Sequence, residues 1–120
     1  PSARAALEGA ILARDLLAAQ PTGGDEALPR ARAQAEDASV ALDRAASGAP
    51  GDDQRAAVAA VATSLRGLSF AIEAENLMRT SPTPPSADQL AEADVVRRRR
   101  TGELDAALSQ LRVATQPVAR

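Results

Sequence analysis

A chain of 120 residues that contains 30 Ala and no His, Cys, Trp, Tyr or Lys has the length of one ordinary domain. It lacks the imidazole, thiol, amine and phenol groups that usually act as nucleophile, tunable base or soft metal ligand. Its net charge of −2 removes the general electrostatic case for a nucleic acid partner or an anionic membrane surface. These absences argue against an enzyme, and no cofactor and no metal is expected.

Beyond Ala, the apolar inventory is 13 Leu, 7 Val, 2 Ile, Phe70 and Met78. Alanine is the best helix former, whereas the β-branched and aromatic residues that fill pleated surfaces are scarce, so the composition predicts an all-α fold. Breaks at Pro21-Thr-Gly-Gly24, Gly48-Ala-Pro-Gly51 and Ser81-Pro-Thr-Pro-Pro85 each end a helix or forbid its continuation. They leave four segments, roughly 2–20, 25–47, 52–80 and 86–115, opening on the candidate caps Ser2, Asp25, Asp52 and Ser86. Short connections predict antiparallel neighbours: one up-down-up-down four-helix bundle over residues 1–120, with the third and fourth helices the longer. Pro1 is not a natural start, which leads us to expect a fragment of a longer protein.

In the first segment Arg4, Glu8 and Asp15 form a narrow polar stripe, while Leu7, Ile11, Leu12, Leu16 and Leu17 spread around the rest. A helix apolar on most of its circumference wants more cover than one bundle gives. We therefore expect a homodimer through this helix, unless loops or segments outside the chain cover it. The second segment carries a seam of Leu28, Ala31, Ala35, Ala38, Leu42 and Ala45, and the third one of Val58, Val61, Leu65, Leu68, Ile72 and Glu75. The fourth continues the pattern through Leu90, Ala93, Leu104, Ala107, Leu111, Ala114 and Val118, interrupted by Arg97 and Arg100 and, at its last step, by Pro117. The expected core centre is Leu65, Leu68, Ile72, Leu104, Leu108 and Leu111. At ~1.5 Å per residue the third and fourth helices run to about 43 Å and the first to about 28 Å, so residues 74–80 and 86–92 should project as a two-helix finger.

Arg97-Arg98-Arg99-Arg100 is the one cluster with an identity. Helical phase splits it into a seam pair, Arg97 and Arg100, and a solvated pair, Arg98 and Arg99. A buried guanidinium needs a carboxylate, water or an anion. A fold-back around residue 83 puts Arg97 level with Ser69 and Arg100 level with Arg66, so the neighbouring helix offers no acid there. Asp15, Asp25, Glu26 and Glu103 remain as ion-pair partners. The alternative is a small-anion or carboxylate ligand held by Arg97, Arg100 and Arg66, since the planar guanidinium fork suits carboxylate, nitrate or phosphate alike. With no His the Glu-x-x-His motif of a dimetal bundle is ruled out, and Gly23-Gly24 lacks the strand and spacing of a phosphate loop.

Arg66-Gly67-Leu68-Ser69 resembles the Arg-Gly-Leu-Ser stretch frequent in actinobacterial nitrate- and nitrite-sensing-type domains. The predicted architecture resembles the all-helical extracytoplasmic sensor domains of bacterial histidine kinases and chemoreceptors. Leu65 stands where the nitrate-sensing family commonly has an acidic residue, so no ligand is carried over. The resemblance implies a non-enzymatic signal-sensing domain that reaches the membrane only through flanking segments, since no apolar run of transmembrane length stands out. The alternative is a helical protein-protein interaction or scaffolding module, on either side of the membrane, with no small ligand.

Overall fold

The computed structural model describes residues 2–18, 27–48 and 51–115, with the side chains of 5–17, 29–48 and 51–115. It is an all-α bundle of four helices, α1 (Ser2–Ala18), α2 (Ala27–Ser47), α3 (Asp52–Arg79) and α4 (Ala87–Thr115). No strand occurs among the described residues. The helices match the expected segments to within about two residues at each end, the usual uncertainty of a helix terminus.

Two of the expected caps fall in the described residues, and they behave differently. Ser86 closes a capping box: its Oγ accepts from the Gln89 N–H at 3.1 Å, while Gln89 Oε1 accepts from the Ser86 N–H at 2.8 Å. Ser86→Ala should cost ~1 kcal/mol, read as a lower urea midpoint at unchanged m value. Asp52 is not the cap of α3. Gly51 holds that place in extended conformation with no side-chain cap, and Asp52 with Asp53 sits in the first turn, where carboxylates oppose the helix dipole. The Ser2 side chain and Asp25 lie outside the described residues. At its other end α3 stops at Arg79, where Thr80 N–H and Ser81 N–H donate back to the Asn76 and Met78 carbonyls, ahead of Pro82, Pro84 and Pro85.

Each helix packs on its neighbour in sequence, and α3 with α4 forms the most extensive pair. Among the described residues α2 and α4 do not approach one another, whereas α1 touches both α3 and α4 over shorter stretches. α1 and α2 meet along seams made largely of alanine, with Ala6, Ala10, Ala13, Ala31, Ala35 and Ala38 all buried. Such small knobs allow axes to approach toward the lower end of the ~8–10 Å range. The six side chains expected at the core centre are all buried, and Leu65, Leu68, Leu104 and Leu111 reach 0% exposure. α1 buries Leu7 and Leu17, keeps Ile11 and Leu16 partly covered and leaves Leu12 52% exposed.

The molecule measures 58 × 24 × 20 Å, and its length comes from α3 and α4. Arg14 of α1 bonds Asp105 of α4 at 2.9 Å, which sets α1 beside the C-terminal half of α4. Beyond that level, between residues 74 and 92, Glu75 is the one buried side chain, as expected of a projecting finger. α3 carries a further property that the sequence reading did not expect. It is long and apolar enough, by length and composition, to cross a membrane. A core helix meets the same criterion, but only 39% of the apolar window is buried in the bundle. The other residues of the window are half-buried or exposed, Ala60, Phe70 and Ala74 among the exposed ones.

Candidate functional site

The arginine run lies on α4 where α1 no longer reaches. Arg97 Nε donates to Glu75 Oε1 at 3.1 Å, and Arg79 Nε donates to Glu75 Oε2 at 3.1 Å. The Glu75 side chain is 7% exposed, so both lone-pair faces of a buried carboxylate are satisfied by guanidinium groups that keep about a third of their own surface in solvent. Arg97 Nη2 also donates to Asp94 Oδ1, and Asp94 Oδ2 accepts from Arg98 Nε at 2.9 Å. Arg100 bonds Glu103 one turn on, at 2.9 Å. Three acids, Glu75, Asp94 and Glu103, thus serve four arginines, 79, 97, 98 and 100. Each guanidinium has five N–H donors, so the cluster retains spare donors and spare positive charge.

The interhelical partner of Arg97 is therefore Glu75, and the expectation that α3 offers no acid there is corrected. The turn register itself is right. A methyl group added at Gly67 would lie 3.6 Å from Arg100 Cδ, as a fold-back near residue 83 requires. Helical side chains lean toward their own N-terminus. α4 has its N-terminus at the α3–α4 turn and α3 has its N-terminus at the far end. Arg97 leans toward the turn, Glu75 leans away from it, and the two converge across an offset of about five residues, or ~7.5 Å along the axes. Of the other acids expected as partners, Asp15 binds Arg14, Glu103 binds Arg100, and Asp25 and Glu26 lie outside the described residues.

The three arginines expected to share a ligand do not converge. Arg66 points to α2, where Nη2 donates to Asp43 Oδ2 at 2.8 Å. That hydrogen bond, against partial burial and aided by the charges of Asp43 and Glu36, holds the Arg66 pKa above even its ordinary high value. Arg100 borders a groove of about 350 Å³ with Gly67, Ala71 and Ala93. Arg97 instead lines a cavity of about 240 Å³ with Ile72, Arg98 and Thr101. Arg98, read from its phase as a solvated residue, is 79% exposed yet borders the same cavity. Thr101 Oγ1 donates to the Arg97 carbonyl at 2.9 Å, which leaves its lone pairs free. Among the described residues no group of three His, Cys, Asp or Glu could hold a metal ion.

Comparison with family models, with curated proteins and with solved structures finds no match for this chain.

Proposed function

We propose that the chain is a non-enzymatic, signal-sensing helical domain that receives a small anion beside Arg97 and Arg98. The observation that carries this reading is the 240 Å³ cavity between Ile72, Arg97, Arg98 and Thr101, bordered by two guanidinium groups that share one carboxylate, Asp94. An anion there competes with Asp94 and Glu75 for the forked N–H donors of Arg97. Because Glu75 belongs to α3, any change in its hold on Arg97 changes what ties α3 to α4. Binding in the cavity is thereby read as a shift of α4 against α3. The architecture supports the same reading, in the setting of an extracytoplasmic domain joined to the membrane by flanking segments.

Thermal melts in a panel of nitrate, phosphate and acetate test it. A ligand at 100 times its Kd should add about 2.7 kcal/mol of stability, an upward shift of several degrees in Tm, and Arg97→Leu should abolish the response. Equal response of wild type and Arg97→Leu, or none to any anion, would leave the second reading, a helical interaction module. That reading has its own observation: Leu77 in the α3–α4 finger, and Phe70 and Val95 just below it, are exposed.

A further inference from the structure

We infer that α3 pairs with α3 of a second copy of this chain, antiparallel and about a two-fold axis, through its outer face. The inner face of α3 buries Val58, Val61, Leu65, Leu68 and Ile72. The opposite face of a bundle helix is ordinarily polar. Here it carries a second heptad seam at spacings of three and four, Ala60, Thr63, Gly67, Phe70, Ala74 and Leu77. All but Gly67 are exposed, and Gly67 is half-buried. Phe70, the lone aromatic of the chain, is 73% exposed and Leu77 62%. No seam position is itself charged, and the Arg100 side chain of α4 borders the seam at Gly67.

Size and charge select both the occupant and its orientation. With Ala60, Gly67 and Ala74 as a positions and Thr63, Phe70 and Leu77 as d positions, an antiparallel pair forms a–d layers. Its layers are Ala60 on the second copy's Leu77, Gly67 on its Phe70 and Ala74 on its Thr63, each repeated by the symmetry. Every bulky side chain meets the smallest available neighbour. A parallel pair stacks Phe70 on Phe70 and Gly67 on Gly67, which gives a clash beside a void. The flanking g positions are Ala59, Arg66 and Glu73, and the e positions Ala57, Ser64, Ala71 and Met78 bear no charge. An antiparallel pair sets g against g, so Arg66 of each copy meets Glu73 of the other. A parallel pair sets g against e and forms no such ion pair. Arg66 and Glu73 are held in place by Asp43 at 2.8 Å and Arg32 at 2.9 Å, and both remain partly exposed for the second contact.

The seam from Ala60 to Leu77 spans about 26 Å, or roughly 260 Å² at a helix width of ~10 Å. That is about a third of the ~800 Å² per partner of a standard interface. Two grooves flank it beside Phe70, about 460 Å³ on the α2 side and 350 Å³ on the α4 side, so the α3–α3 contact is a small one. Such a dimer is of micromolar class, and sedimentation velocity on the full chain should resolve it between about 10 and 500 μM.

Phe70→Ser should weaken the dimer at least about tenfold. Gly67→Ala should weaken it while leaving the monomer fold as stable or more so, because the added methyl makes only an ordinary contact with Arg100 and alanine favours the helix. Leu12→Ser on α1 should leave the dimer intact. The chain has no Cys, so orientation follows from single substitutions: an equimolar mixture of Thr63→Cys and Ala74→Cys should cross-link on oxidation, and Thr63→Cys alone should not. A monomer throughout the range, a dimer lost with Leu12→Ser but not with Phe70→Ser, self-cross-linking of Thr63→Cys, or a monomeric chain that floats with phospholipid vesicles would each overturn the inference.

Discussion

Leu68→Ala lowers the unfolding free energy by about 2–5 kcal/mol, the range for truncating a buried leucine whose surroundings relax only in part. Leu68 is fully buried on α3, in contact with a core that has few other large side chains to move into the space. Because alanine fills so many neighbouring positions, and an alanine has no rotamers with which to collapse, the loss should fall in the upper half of that range. Arg98→Ala, at an exposed site whose ion pair with Asp94 is made within its own helix, should cost under about 0.5 kcal/mol. Urea denaturation of both variants measures the contrast, and equal losses would contradict the burial assigned to the two faces.

Arg97→Leu and Glu75→Leu should move stability in opposite directions. Removing Arg97 strands one oxygen of a buried carboxylate, which Arg79 satisfies only in part. We expect a loss of ~1–3 kcal/mol, below the ~3–5 kcal/mol of a fully buried pair because Arg97 is itself 36% exposed. Glu75→Leu removes the one buried charged group among the described residues and fills an apolar seam position. Arg79 and Arg97 then turn to water and to Asp94. Replacing buried ionic groups by apolar ones of similar volume is often neutral or stabilising by ~1–4 kcal/mol, so this variant should melt at or above wild type. A Glu75→Leu protein that melts well below Arg97→Leu would mean that the ionic contact outweighs the cost of desolvating its carboxylate.

Much of the fold was legible because each helix announces itself twice, by a heptad period and by a proline- or glycine-rich break. The placement of Leu65, Leu68, Ile72, Leu104, Leu108 and Leu111 followed from phase alone. Seam phase also put Glu75 on the buried face of α3 and Arg97 on the facing line of α4. Their contact was hidden because counting residues from a turn compares Cα heights, while a long side chain acts one to two turns from its own Cα. Arg66 was misassigned for a related reason. One residue of phase, about 100° around the helix, separates it from Gly67, and it is Gly67, at the edge of the outer face, that lies beside the Arg100 side chain of α4. The cap of α3 was missed because Gly51 caps through backbone conformation, which an Asp two positions from a proline obscures. The outer face of α3 escaped notice since alanine, glycine and threonine there look like ordinary helix filler until their exposure is known.

A polymer built from 30 alanines in repeating heptads has a degeneracy problem, since sliding one helix past another by seven residues presents nearly the same surface. The Glu75 contact with Arg97 lifts that degeneracy for α3 and α4. Slipping α4 by one heptad in one direction would bring Glu75 opposite Leu104; in the other it would bring Glu75 opposite Leu90 and Arg97 opposite Leu68, so each decoy alignment leaves a charge against hydrocarbon. A single ionic contact of small net worth to the native state therefore acts as an address, raising the energy of wrong alignments more than it lowers that of the right one.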